Sequence, residues 1–477
     1  MLEKIFENIE ILDAGSEGKA IAKIGELVIF VPFVVPGDIV DIQLVRKKKS
    51  YLEGKAIKFH HYSEKRQEAF CEHFGTCGGC RWQNMRYEEQ LFYKEKQVKD
   101  AIQRIGKFEN TTILPILSSS ESTYYRNKLE YSFSNHRWLI AGERKAEDGK
   151  VDKKDMNALG FHIPLMFDKI LDINHCWLQA DPSNAIRLEA RKYAQEHDLS
   201  FYDVRIWKGF LRNLLIRTTL TGDLMVIFVF RTDDHKEIVL LLDHMLAKFP
   251  SITSMYYVIN GKHNDVITDL PYIHYHGDDF ISEKMIAFDG RKEVDFHIRP
   301  ASFFQTNTRQ AFTLYRKAAE LAGFTGNETV YDLYCGIGTI SSFIAGSVKK
   351  VVGIESIPSA VDDAWENARR NNIENTFFFS GEAEKVLSQE FIEQIGRPDI
   401  IITDPPRAGM HEKVVKAILY AAPEKIIYVS CNPATQARDM ALMKEQYELI
   451  KCQPVDMFPH TQHVENIALL VKKVNPS

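Results

Sequence analysis

The sequence predicts a multidomain protein with three parts. They are an N-terminal OB-like β-barrel over residues 1–60, a central α+β domain over 61–300, and a C-terminal α/β domain of doubly wound, Rossmann-like type over 301–477. Three observations carry this. Short strand patterns cut by Gly and Pro fill the first sixty residues. Strands and helices mix irregularly through the middle. After about residue 300 they alternate, as they do in a parallel sheet covered by helices. The length agrees, because 477 residues exceed what one core fills. Hydrophobic residues at 45% and charged residues at 26% are ordinary for globular domains. A net charge of −5 excludes a histone-like, non-specific polyanion binder and leaves room for a local basic groove. The N-terminus lacks the apolar core of a signal peptide and no apolar run reaches the length of a membrane span. A cytoplasmic protein with no membrane partner is therefore expected, and a monomer.

In the barrel, strands are expected at Ile9–Asp13, Ala20–Ile24, Leu27–Val31, Ile39–Val45 and Leu52–Phe59, with a turn at Pro36-Gly37-Asp38. Arg46-Lys47-Lys48-Lys49 lies at a strand end, where it can meet phosphates or simply face solvent. The stretch resembles a TRAM domain, an RNA-binding module, in its turn Gly15-Ser16-Glu17-Gly18-Lys19-Ala20.

Next comes Cys71-x5-Cys77-Gly78-Gly79-Cys80. Three thiols in a glycine-rich loop of a cytosolic chain point to a metal rather than to disulfides. Structural zinc and iron–sulfur sites usually want four ligands. Among the remaining cysteines, Cys176 in Asp172-Ile-Asn-His-Cys176-Trp177 is the expected fourth, with His73 and His175 as neighbouring alternatives. Spacing alone does not separate zinc from a cluster.

In the middle, a helix is expected over Tyr87–Arg104. Tyr124-Tyr-Arg126-Asn-Lys128-Leu-Glu-Tyr-Ser-Phe133 alternates aromatic and basic residues, a pattern that can stack on bases from one strand face or serve as an ordinary sheet face. Ala141–Asp155 reads as a charged hairpin or insertion. Strands follow at Ile206–Trp207, Leu214–Thr219, Met225–Phe230 and Ser254–Ile259, and helices at Pro182–His197 and Lys236–Lys248.

The C-terminal domain carries the chemistry. The strand Val330-Tyr-Asp332-Leu runs into Tyr334-Cys335-Gly336-Ile-Gly338, and the strand Lys350–Glu355 ends in an acid about 20 residues further on, where ribose recognition places one. A dinucleotide usually takes G-x-G-x-x-G, and here Ser341 holds the third glycine position. The expected ligand is therefore S-adenosylmethionine rather than NAD. Cys335 then reads as a small loop residue. The strand Asp399–Asp404 ends in Asp404-Pro405-Pro406-Arg407-Ala-Gly409. The next strand, Lys425–Val429, opens at Ser430-Cys431-Asn432-Pro433 into a helix. A lone cysteine is more often core than nucleophile. At a strand-to-helix opening on the ligand side of an α/β sheet, near a helix N-terminus, a reactive thiolate is expected instead. Glu465 stands just before the last strand, Asn466–Lys472, and is expected to face the same crevice. A thiolate that adds to carbon 6 of a uracil makes carbon 5 nucleophilic, and a carboxylate must then remove the carbon 5 proton. Cys431 and Glu465 suit those roles, with Arg407 or Asp404 near the enolate oxygen. The target base must be flipped or presented in a loop.

These motifs resemble the RNA 5-methyluridine (uracil-C5) methyltransferases, in particular the 23S rRNA branch. One family motif runs from Asp404 to Gly409 and from Tyr428 to Thr435. The second, Asp-x-Phe-Pro-His-Thr-x-His-x-Glu, runs from Asp456 to Glu465. The resemblance implies a class I methyltransferase domain with Cys431 as nucleophile and Glu465 as proton acceptor. It also implies Gln305, Tyr334, Glu355 and Asp404 as S-adenosyl-L-methionine positions, and Cys71, Cys77, Cys80 and Cys176 as ligands of a 4Fe-4S cluster. Members commonly have Phe at the place of Tyr334. The branch that modifies tRNA lacks the barrel and the cysteine quartet, so the expected partner is 23S rRNA. The alternatives are a T-loop uridine of tRNA, or a non-catalytic RNA-binding assembly factor that keeps the fold.

Overall fold

Alternating burial along Ala20–Ile24, Leu27–Val31 and Ile39–Lys47 turns one face of each strand inward, as the period of two requires. The computed structural model describes residues 4–15, 17–140, 143 and 156–474. Six strands pair in the order Ile5–Glu10, Ile39–Lys47, Tyr51–His61, Leu27–Val31, Ala20–Ile24, Asp13–Ala14 around a core that includes Ala22, Ile29, Val40 and Ile42. The expected strand Ile9–Asp13 is split in two, because Ile11 and Leu12 leave the ladder between Glu10 and Asp13. Buried Asp38 fastens the barrel to the chain that follows. It accepts from Arg66 Nε (2.7 Å) and Nη2 (2.8 Å), and from the Val35 and Ser63 amides. Arg46–Lys49 is exposed.

The central sheet has seven strands in the order Ile170–Asp172, Ala158–His162, Lys128–Ser134, Leu211–Thr218, Leu224–Phe230, Ser254–Ile259, Ile273–Gly277. Leu224–Phe230 is buried throughout, since both of its faces are covered. One face meets the helices Ser183–Glu196 and His235–Lys248. The other shares a core with residues of the hairpin Ile281–Ile286 and Glu293–Ile298 and of the helix Thr308–Ala322. Two expectations change here. Ile206–Trp207 is a turn, not a strand, with Trp207 at φ 55°. The strand expected from Tyr124 begins at Lys128, and Tyr125, Tyr131 and Phe133 are buried, so this stretch is a core face and not a stacking platform. The expected insertion Ala141–Asp155 lies, apart from Glu143, outside the described residues.

The C-terminal sheet runs Thr376–Ser380, Lys350–Glu355, Thr329–Leu333, Ile400–Thr403, Lys425–Ser430, Glu465–Lys472, Tyr447–Val455, Thr112–Ile113. The first five strands are parallel. Glu465–Lys472 is antiparallel to both of its neighbours. Thr112–Ile113 divides the expected 61–300 domain, since it joins this sheet beside Tyr447–Val455. The preceding helix, Tyr87–Asp100 with a π-turn at Ala101–Ile105, packs Val98, Ala101 and Ile102 into the same core as Tyr331 and Tyr428. The hairpin Ile281–Ile286 and Glu293–Ile298 lies in a different core, with Ile340 and Phe343. Among the described residues no helix is long and apolar enough to cross a membrane.

Candidate active site

The site lies along the C-terminal ends of the parallel strands, where an open α/β sheet binds ligands. Strand pairing puts its two chemical groups side by side. Ser430 pairs with Asn466 in the antiparallel ladder, so one step outward Cys431 stands opposite Glu465. The Gln436 side chain locks this register. It donates to the carbonyls of Tyr428 (2.7 Å) and Asn466 (3.1 Å) and accepts from Asn466 Nδ2 (2.7 Å). Asn432 caps the helix Pro433–Ala441, as its Oδ1 accepts from the Ala434 amide, and its Nδ2 donates to the Arg407 carbonyl (3.2 Å). Gly409 has φ 80°, and a Cβ there would lie 2.5 Å from Asp439 Oδ2, so only glycine lets the Asp404–Gly409 loop close on that helix.

The thiol is not the ready thiolate that its place at a helix N-terminus suggests. Burial, then Glu465, and further Asp404 push Cys431 up to about 11, and Arg407 opposes them. Burial and Asp404 push Glu465 up to about 8, again against Arg407. Asp404 is pushed up to about 7 by burial and Asp332, with Gln305 favouring its charge. Asp332 also rises to about 7, chiefly through burial and with Glu355 adding to it. A row of acids, Glu355, Asp332, Asp404 and Glu465, thus lines the edge. Asp332 Oδ2 accepts from Ser341 Oγ (2.6 Å), while buried Asp332 Oδ1 has no hydrogen-bond partner among the described residues. Beneath the row, burial together with Asp404, Asp332 and Glu465 holds the Tyr315 phenol neutral.

The glycine loop fits an adenosine ligand. Gly338 has φ 75°, and a Cβ there would meet Phe378 at 2.9 Å. Tyr334 sits at φ 65°, a conformation that costs a non-glycine residue and is usually kept at working sites. Glu355 Oε2 accepts from the Gly336 amide (3.1 Å), and Oε1 from the Ile357 amide (3.0 Å). A row of carboxylates, Asp332 and Glu465 buried and Glu355 and Asp404 partly so, with one orphaned oxygen suits a ligand that brings an ammonium and a sulfonium. Cys335 is buried against Ala364 and Phe378, as a small packing residue should be.

Gln305, Tyr334, Glu355, Asp404, Cys431 and Glu465 therefore share one crevice region. Two neighbours escaped the sequence reading. Phe303, two residues before Gln305, is 67% exposed and offers a free ring. Tyr315 gave no signal beyond an ordinary helical position.

The four predicted thiols meet elsewhere. Cys71, Cys77, Cys80 and Cys176 line one cavity of about 170 Å³ with Phe161, Leu178 and other side chains. Burial first, and the neighbouring thiols after it, push Cys77 and Cys80 up to about 12. Such mutually repelling groups suit a shared cation. Among the described residues, no group of three His, Cys, Asp or Glu side chains stands in metal-holding geometry. Both alternative histidines are engaged: His73 Nε2 accepts from the Asn174 amide (2.9 Å), and His175 Nε2 shares a proton with Tyr124 OH (3.1 Å).

A family profile described as tRNA (uracil-5-)-methyltransferase matches residues 273–473, and a TRAM domain profile matches residues 7–57. An uncharacterized RNA methyltransferase of Bacteroides thetaiotaomicron is 54% identical over 95% of this chain and 99% of its own length. One of Chlorobaculum tepidum is 40% identical over 91% and 89%. Among solved structures, the Pyrococcus abyssi tRNA (uracil-54, C5)-methyltransferase in complex with S-adenosyl-L-homocysteine matches 97% of this chain and 99% of its own. Its TM-score is 0.73 and its identity 28%. A match of that extent takes in the barrel, so a barrel by itself does not mark an rRNA enzyme, contrary to the expectation above.

Proposed function

The chain belongs to the S-adenosylmethionine-dependent RNA (uracil-5-)-methyltransferase family, and on that premise we propose that it methylates carbon 5 of a uridine in 23S rRNA. The observation that carries the chemistry is the register that sets Cys431 opposite Glu465. Cys431 loses its proton to solvent, and the thiolate Sγ adds to carbon 6 of the flipped uracil, giving an enolate across carbons 4 and 5. S-adenosylmethionine, when bound, supplies the electrophilic methyl group. Glu465 then takes the proton from carbon 5, the carbon 5–carbon 6 double bond re-forms, and the thiolate leaves. Arg407, whose charge reaches both groups, steadies the thiolate. Gln305, Tyr334, Glu355 and Asp404 hold the cofactor, and Phe303 offers a stacking surface to a base.

The likeness of the motifs and the thiol quartet to the rRNA branch supports 23S rRNA. The match to a solved tRNA enzyme favours a second reading, a tRNA uridine. Unmodified 23S rRNA and tRNA transcripts offered together with labelled cofactor decide between them. The expected label is 5-methyluridine in 23S rRNA. Label in tRNA alone establishes the second reading, and label in neither defeats both.

Cys71, Cys77, Cys80 and Cys176 are proposed to hold a 4Fe-4S cluster. Methyl transfer from a sulfonium needs no electron, so its role is structural. Protein purified without oxygen is expected to carry about four irons and four acid-labile sulfides per chain. Stoichiometric zinc without sulfide would exclude the cluster.

A further inference from the structure

We propose that the buried Lys94–Asp456 pair is a positioning device for the general base, fixing the loop that delivers Glu465 and so setting how fast the covalent adduct resolves. The inference rests on the reaction proposed above. Asp456–Val464 joins the strands Tyr447–Val455 and Glu465–Lys472, and Glu465 is the first residue after it. A connection without regular structure is ordinarily mobile. Here one face of the helix Tyr87–Asp100 holds it, through residues at i, i+3 and i+7.

Lys94 Nζ donates to Asp456 Oδ1 (2.6 Å) and to the Phe458 carbonyl (3.0 Å), with both charged side chains fully buried. Tyr87 OH donates to Asp456 Oδ2 (2.8 Å). Gln90 Oε1 accepts from the His460 amide (2.8 Å). The His460 carbonyl in turn accepts from the Arg81 and Trp82 amides, at 2.9 and 3.0 Å. His460 itself is kept at φ 64°. Tyr125 OH donates to the Pro459 carbonyl (3.0 Å), and Asp456 Oδ1 also accepts from the Phe458 amide (3.1 Å). Many of these bonds seize loop backbone, which is what fixes where the next strand begins. Stability alone does not call for an ion pair here, because well-packed apolar groups serve a buried site as well or better. The anchors at Tyr87, Gln90 and Lys94 lie outside the stretch 273–473 that the methyltransferase profile matches. The catalytic unit thus includes a helix from the first quarter of the chain.

The test uses full-length protein, unmodified 23S rRNA and tRNA transcripts, and methyl-labelled cofactor. It reads methyl transfer in the first turnover and the covalent protein–RNA complex that survives detergent. Lys94→Met is expected to leave first-turnover transfer within about threefold. It should slow adduct resolution about 30-fold or more, so that labelled complex accumulates. Tyr87→Phe removes no charge and two hydrogen bonds, the one to Asp456 and the one the hydroxyl accepts from the Ser119 amide (2.8 Å). It should give the same signature at about 3- to 10-fold with the protein still folded and its melting temperature only slightly lowered, and it decides the matter if Lys94→Met does not fold. A merely structural role lowers both steps together, and that result, or unchanged resolution in both variants, overturns the proposal. Wild-type protein that methylates neither RNA overturns the underlying reaction instead.

Discussion

Replacing Cys431 with alanine is expected to lower methyl transfer by about 10⁴-fold or more while cofactor and RNA still bind, because without the sulfur carbon 5 never becomes a nucleophile. Label incorporation and filter binding check the two halves. Methylation that persists in the variant would remove Cys431 from the mechanism. The same thiol makes a finer test. Burial, Glu465 and Asp404 hold it up at about 11 and Arg407 draws it down. Near pH 8 only about one molecule in 10³ carries the thiolate in the free protein. Arg407→Met removes the opposing charge, so alkylation of Cys431 by iodoacetamide should slow. A positive ligand in the acidic row acts in the other direction. S-adenosylmethionine should speed alkylation, and S-adenosylhomocysteine, whose sulfur is uncharged, should not. An equal response to both would mean that charge in the crevice does not govern the nucleophile.

The contrast between Cys431 and its surroundings shows how far the chain could be read without coordinates. The strands Ala20–Ile24, Leu27–Val31, Ser254–Ile259 and Lys350–Glu355 match their expected bounds, because their apolar patterns end at Gly, Pro or charged turns. The two motifs pointed to Cys431 and Glu465, the proposed nucleophile and base, and the structure brings these two strand-end groups within reach of each other's charge. The acidity of the thiol was not legible. The helix N-terminus argued for a thiolate, but burial and two acids, brought in from strands 27 and 34 residues away in the chain, outweigh it. The aromatic–basic alternation around Tyr124 left two readings open for a related reason: a period of two shows that one face differs from the other, not which face is covered. Thr112–Ile113 is too short to carry a pattern, and it joins its sheet only because Lys451 and Cys452 offer an edge. Lys94 was hidden too. In Tyr87-Glu-Glu-Gln-Leu-Phe-Tyr-Lys94-Glu-Lys it looks like any solvent-facing lysine, and only the return of Asp456 from the far end of the chain makes it a buried one.

Glu465→Gln should separate the two halves of the reaction. Sulfur addition and methyl transfer need no base at carbon 5, so the first methyl still reaches the RNA. Proton removal then fails, and the methylated RNA stays bonded to Cys431, with product release slower by about 10²- to 10⁴-fold. A labelled protein–RNA band that resists detergent is the expected sight, and free 5-methyluridine appearing at the wild-type rate would dismiss Glu465 as the acceptor. The pH dependence carries a definite sign. Burial and Asp404 push the carboxyl up to about 8, and only its ionised form accepts the proton. Below that value the neutral form dominates, so in the wild type the resolution of a preformed adduct should rise with pH through about 8 and then level. In Glu465→Gln the residual rate should show no such step. Asp404 contributes to the upward push, so Asp404→Asn should move the rise to lower pH. Measuring on adduct already formed keeps the cofactor role of Asp404 out of the reading. An unmoved rise would mean that burial alone tunes the base.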